Sequence, residues 1–77
     1  MSDGNLSSIL EIIHRVGGIQ NLAPDQDFYD AGVSSVSTLP LLMEMEDHFQ
    51  VSIPDERFLT ARTAGAMSEL ITDLKKG

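Results

Sequence analysis

Three stretches of this chain carry apolar residues at helical spacing, and none carries the alternation of a half-buried strand. Leu6, Ile9, Leu10, Ile13 and Val16 fall at i, i+3, i+4, i+7 and i+10. That places them on one face of a helix over 6–16. Asp3 or Asn5 can cap its start. Gly17-Gly18 ends it, because glycine tolerates the left-handed exit conformation. Leu39, Leu42, Met45 or Glu46, and Phe49 mark a second helix from about 35 to 50. Met67, Leu70, Ile71 and Leu74 mark the last one. Thr63 is placed to cap it, and Lys75 and Lys76 suit the negative end of its dipole. Between these two, Pro54 disfavours helix at Ile53, and Asp55 can cap a short turn over 56–60.

Residues 19–33 read as a long loop. It is polar, but Ile19, Leu22, Phe28 and Tyr29 are there to pin it onto a core. The expected fold is all-α: a small up-down bundle of three main helices plus one short helix, with a long first loop. The 77 residues make one domain, 1–77. The expected core is Leu6, Ile9, Leu10, Ile13, Phe28, Leu39, Leu42, Phe49, Ile53, Leu70, Ile71 and Leu74.

A chain this short buries only about 60% of its unfolded surface, so its core is thin and an enclosed catalytic cleft is not expected. The apolar fraction of 42% still suffices for a globule. Twelve acids against five bases give a net charge of −7. Phosphates would be repelled, which argues against nucleic acid and anionic membrane and favours partners with basic patches. There is no cysteine, hence no disulfide, no thiolate zinc site and no thiol nucleophile. The opening MSDGNLSS has neither the basic nor the apolar region of a signal peptide. The apolar runs are too short to span a bilayer. The expected compartment is the cytoplasm.

Catalytic arrangements fail on geometry. Ser35 and His48 lie 13 positions apart on the expected second helix, roughly 20 Å at about 1.5 Å per residue. They cannot pair. His14 reads as a solvated helix residue. Gly32-Val33-Ser34-Ser35-Val36 lacks the second glycine of a nucleophile elbow, and no strand precedes it. Asp25, Asp27 and Asp30 crowd the loop. Counted from Asp25, however, the sixth and twelfth positions hold Asp30 and Val36 where a calcium loop needs glycine and glutamate. These acids read as solvated residues or local caps. Met1, Met43, Met45 and Met67 read as adaptable core.

The serine cluster before the second helix is different. Ser34 is suited to the N-cap, which leaves Ser35 as the first helical residue. A hydroxyl there faces solvent beside unpaired backbone N–H groups, and a phosphate ester on it would be stabilised by them. The bland reading is that all three serines are caps and turn residues. Pro40 complicates the helix. Without an N–H, and with a ring that crowds the carbonyl of Val36, it does not fit a helix interior. Either the helix starts at Ser35 and bends over 36–40, which is the favoured reading, or it starts near Thr38–Pro40, where proline is welcome.

Read together, DFYDAGVSSV and LLMEMEDHFQVSIPDE resemble the acyl carrier protein family. That family carries F-x-D-L-G-x-D-S-L, then an apolar and acidic helix ending in E-x-x-F, then I-P-D-E. Phe28, Asp30 and Gly32 match, and Ser35 stands three after the glycine. Glu46, Phe49 and Ile53-Pro54-Asp55-Glu56 match the rest. The resemblance implies a 4'-phosphopantetheine arm, transferred from coenzyme A to Ser35 by a phosphopantetheinyl transferase. It implies a monomeric carrier and not an enzyme. Such a carrier holds an acyl or aminoacyl group as a thioester and moves it from a loading ligase to a downstream transferase or synthase. The imported thiol would account for the missing cysteine. The pattern departs at Ala31, Ser34 and Val36. Ser37 and Pro40 stand where family members commonly have acids. These departures favour a carrier dedicated to one biosynthetic pathway. Its expected partner face is Val36, Ser37, Pro40 and Met43, with Glu44, Asp47 and Glu56 as a reduced acidic rim. The rival reading is an unmodified carrier-like fold that serves as a protein-binding adaptor.

Overall fold

A computed structural model describes residues 3–76; Met1 lies outside them. Four helices make up the bundle: α1 Asp3–Gly17, α2 Thr38–Phe49, α3 Asp55–Thr60 and α4 Ala64–Lys76. A single 3-10 turn, Ser35–Ser37, precedes α2. Among the described residues there is no strand, only an isolated antiparallel bridge between Asp27 and Thr63.

The core forms where α1 packs on α2 and α4. From α1, Ile9, Ile12 and Ile13 are fully buried, while Leu6, Leu10 and Val16 pack along the edge. Ile12 belongs to the stripe at i+3 from Ile9, although it was absent from the expected core. Helix α1 also begins earlier than expected, so Asn5 lies within it and is not its cap; the side chain of Asp3 lies outside the described part. It ends as expected, with Gly18 at φ +74° and its N–H donating to the carbonyl of His14 at 3.0 Å.

The second helix departs from the favoured expectation. It does not run as a bent α-helix from Ser35. The 3-10 turn closes first, and α2 begins at Thr38. Pro40 is thereby the third α-helical residue. The first four N–H groups of a helix have no intrahelical acceptor, so the missing proton costs nothing there. The buried face of α2 also differs from the expected one. Leu41, Leu42, Met45 and Phe49 are buried. Leu39, expected in the core, is 62% exposed, because at about 100° per residue it lies roughly a quarter turn from the centre of that stripe.

After Phe49, Gln50 takes the left-handed conformation at φ 57° and ψ 50°, and its N–H bonds the Glu46 carbonyl. The Glu46 carboxylate then accepts from the Ile53 N–H at 2.8 Å. One glutamate thus binds both sides of the connection and delivers Ile53 to the core. Asp55 is not the cap of α3. Pro54 occupies that place, and Asp55 and Glu56 fill the first turn, where acids suit the dipole. Phe58, which no periodicity marked, is the buried anchor of this short helix. The Thr63 hydroxyl accepts from the Ala66 N–H at 3.0 Å, the expected cap of α4. Helix α4 then buries Ala64, Met67, Leu70 and Ile71, with Leu74 at the edge.

Two substitutions separate the buried face of α2 from the exposed one. Phe49→Ala should cost roughly 3–5 kcal/mol, the range for a buried ring. Leu39→Ala should stay within about 0.5 kcal/mol, as for a surface position. Thermal and urea unfolding followed by circular dichroism would check both, and equal losses would contradict this assignment of faces.

Candidate functional site

The first loop, from Gly18 to Ser34, has no regular structure, yet it is firmly held. Phe28 and Val33 are buried, and Ile19, Leu22 and Tyr29 are packed against the core. Its backbone is stapled to the joint between α3 and α4. The Phe28 N–H donates to the Arg62 carbonyl at 2.9 Å, and the Gly65 N–H donates to the Pro24 carbonyl at 2.9 Å. These bonds meet the demand that inward-facing backbone groups find partners.

Asp27 organises the end of the loop. One carboxylate oxygen accepts from the N–H groups of Tyr29 (2.8 Å) and Asp30 (3.2 Å). The other accepts from Arg62 Nε at 2.6 Å. Of the three loop acids, Asp27 is therefore a local cap, while Asp25 and Asp30 are exposed. Arg62 beside it holds the Asp27 carboxyl below the usual carboxylate range, helped by the two backbone N–H donors. The pairing raises Arg62 in return. From Asp27 the chain coils tightly: Ala31, Gly32 and Val33 donate to the carbonyls of Asp27, Tyr29 and Phe28. Gly32 has φ +127°, and a Cβ there would meet Ile19 Cδ1 at 3.2 Å. Only glycine fits this backbone without strain.

Directly beyond this coil stand the serines. The Ser34 hydroxyl accepts from the Val36 N–H at 3.2 Å and caps the 3-10 turn. Ser37 is half-buried. Ser35 is exposed, and among the described residues no hydrogen bond engages its hydroxyl. Ser34 and Ser35 thus divide the tasks, one capping and the other free. The expected support from unpaired N–H groups is smaller than the sequence suggested. The N–H of Val36 is taken by Ser34 Oγ, that of Ser37 by the Ser34 carbonyl and that of Thr38 by the Ser35 carbonyl.

An exposed apolar ridge runs on from Ser35. Val36 is 81% exposed, Leu39 62% and Met43 59%. Their spacing of i, i+3 and i+7 puts them on one face, and Pro40 and Asp47, both exposed, continue it. Leu39 was missed here because it was assigned to the core. Glu44 is adjacent but not free, since Arg15 of α1 bonds its carboxylate at 3.1 Å. Glu56 lies apart, on α3. Among the described residues, no three His, Asp or Glu side chains are placed to hold a metal. No described helix is long and apolar enough to cross a membrane.

A free, exposed hydroxyl at a tight turn is what a covalent arm requires. The family described as "Phosphopantetheine attachment site" matches residues 7–71. This chain belongs to that family of carrier proteins. Among its relatives, a "Probable acyl carrier protein" of Caulobacter vibrioides is 44% identical over 46 residues, 60% of this chain and 54% of that protein. A "Meromycolate extension acyl carrier protein" of Mycobacterium leprae is 32% identical over 74 residues, 92% of this chain and 64% of that one. A "D-alanyl carrier protein" of Streptococcus mutans is 39% identical over 54 residues, 66% of this chain and 68% of that one. The carrier thus spans between half and two thirds of the length of the first two relatives.

The lowered Asp27 carboxyl sets a pH dependence. A group whose folded value lies below its unfolded value stabilises the fold above the unfolded one, about 3.9 for Asp, and that contribution is lost as pH falls through the folded value. Asp27→Asn should therefore be less stable than wild type at neutral pH, and the gap should close below about pH 4. Melting curves of both proteins from pH 7 to pH 2.5 would check this. A gap independent of pH would contradict it.

Proposed function

We propose that this carrier takes its phosphopantetheine arm on Ser35 and shuttles an acyl or aminoacyl group between the enzymes of a dedicated biosynthetic pathway. The observation that carries the reading is the pairing of Ser34 and Ser35 described above. At the family's serine spacing, three residues after Gly32, the exposed hydroxyl is the uncommitted one. The phosphoester forms at Ser35 Oγ as the pyrophosphate link of coenzyme A breaks, with the nucleotide half leaving and the hydroxyl proton passing to a base of the transferase. When bound, the arm supplies the thiol that this cysteine-free chain lacks. Tethering then replaces free diffusion with a high local concentration at each partner's active site. Relatives named for acyl and for D-alanyl groups support either class of cargo.

Partner enzymes grip the ridge of Val36, Leu39, Pro40 and Met43. Ser37 and Pro40 supply no charge there, and Glu44 is neutralised by Arg15, which leaves Asp47 on the ridge and Glu56 beyond it. Apolar contact therefore dominates over charge steering. The partners are a phosphopantetheinyl transferase, a loading ligase and a downstream transferase or synthase.

Incubation with coenzyme A and a broad-specificity transferase should add the mass of one phosphopantetheine group to wild type and to Ser34→Ala. Ser35→Ala should gain nothing while keeping its helical signal. Loading of Ser35→Ala would move the site elsewhere, and an unreactive wild type would favour the unmodified adaptor. Separately, affinity for the loading enzyme should change little between low and high salt, because rim charges mainly set on-rate and salt response. Pro40→Glu should bind no tighter than wild type. A steep salt dependence, or tighter binding by Pro40→Glu, would contradict an apolar grip.

A further inference from the structure

The geometry points to Arg62 as a positioning residue for Ser35: through Asp27 it fixes the coil that presents the serine hydroxyl to the transferase. The inference rests on Ser35 as the attachment residue. Arg62 is far from Ser35 in sequence, at the joint between α3 and α4, yet three of its groups reach the loop. Its Nε meets Asp27 Oδ2 at 2.6 Å. Its carbonyl accepts from the Phe28 N–H at 2.9 Å. Its guanidinium lies over the Tyr29 ring, 4.8 Å from the centroid, where a cation is attracted to the ring face.

Asp27 passes this hold onward. With one oxygen on Arg62, its other oxygen faces the N–H groups of Tyr29 and Asp30. The backbone bonds of Ala31, Gly32 and Val33 then carry the coil to within two residues of Ser35. The direction of the Ser35 side chain is therefore set by a run of local bonds whose far end is an arginine on another element. The Arg62 side chain is about half exposed, and an exposed ion pair contributes little to stability. Its geometry is nonetheless specific, with one short charge-assisted bond from Nε to a carboxylate that is already committed to two backbone donors. Small misplacements of a reacting group can cost up to about 10²-fold in rate. The ridge Val36–Leu39–Met43 does not include this latch, so encounter with the transferase is left intact.

The test is steady-state arm transfer from coenzyme A to wild type, Arg62→Gln, Arg62→Lys, Asp27→Asn and the Asp27→Asn/Arg62→Gln double variant. All would be assayed well below their melting temperatures and with folded fractions matched by circular dichroism. Arg62→Gln should lower kcat on the order of tenfold with KM unchanged. Asp27→Asn should do the same, and the double variant should be no worse than either single one. Arg62→Lys should recover part of the rate. In the unmodified proteins, amide exchange at Ala31, Gly32 and Val33 should be faster in Arg62→Gln than in wild type, a readout that needs no transferase. A loss confined to KM, additive single effects, or wild-type exchange at these three amides would overturn the latch. So would Arg62→Gln turning over at the wild-type kcat. A wild type that accepts no arm, or accepts it at another serine, would instead overturn the Ser35 reading, while the exchange rates would still report on the latch.

Discussion

Asp27 and the backbone around it hold a long loop that has no ladder of its own. Seventeen residues connect α1 to the 3-10 turn, and a segment of that length meets its backbone demand with caps, turns and contacts to other elements. Here the joint between α3 and α4 supplies them. The Arg62 carbonyl and the Gly65 N–H take one backbone group each, and the Arg62 side chain takes the carboxylate that caps Tyr29 and Asp30. Phe28 and Val33 are buried as a result, and the chain leaves the core at Ser34 in a fixed direction. The exposed Ser35, which sits in neither α1 nor α2, thus follows a coil braced by the joint between α3 and α4.

This arrangement separates two duties that a serine cluster could have confused. The hydroxyl that stabilises the turn is Ser34, spent on the Val36 N–H. The hydroxyl left over is Ser35, and removing it costs the fold little. The same economy applies to the face beyond. Leu41, Leu42, Met45 and Phe49 hold α2 to the core, while Val36, Leu39 and Met43 leave their apolar surface in solvent. Exposed large apolar side chains gathered on one face mark an interaction surface more than scattered ones do. Arg15 neutralises the nearest acid by bridging α1 to α2. The carrier is strongly acidic overall, yet the exposed apolar ridge itself carries little charge.

Much of this was legible in the sequence, for local reasons. Helical spacing gave α1, α2 and α4, the glycine pair gave the exit from α1, and Thr63 gave the cap of α4. The motif around Gly32 and Ser35 lies within a few residues and needs no tertiary knowledge. What was not legible depends on register or on distance. Leu39 fits helical spacing with Leu42 as well as with Met43, and only the tertiary packing, which buries Leu41 and Leu42 together, shows that it faces out. Pro40 carried the right signal, a helix start near Thr38, but Ser34 as an evident cap outweighed it. Phe58 belongs to a helix of six residues, too short to show a period. The Arg62–Asp27 pair joins positions 35 apart in the chain, and an arginine between Ala61 and Thr63 gives no local sign of its partner.

The central claim is that the free hydroxyl at the turn carries the arm in life. Its most direct measurement is the intact mass of the protein purified from its own cells, followed by fragmentation of the peptide that spans the three serines. The account predicts a population bearing one phosphopantetheine group, some of it loaded, with the added mass located on Ser35 and none on Ser34 or Ser37. An unmodified chain from cells that contain an active transferase, or the added mass on another residue, would contradict it.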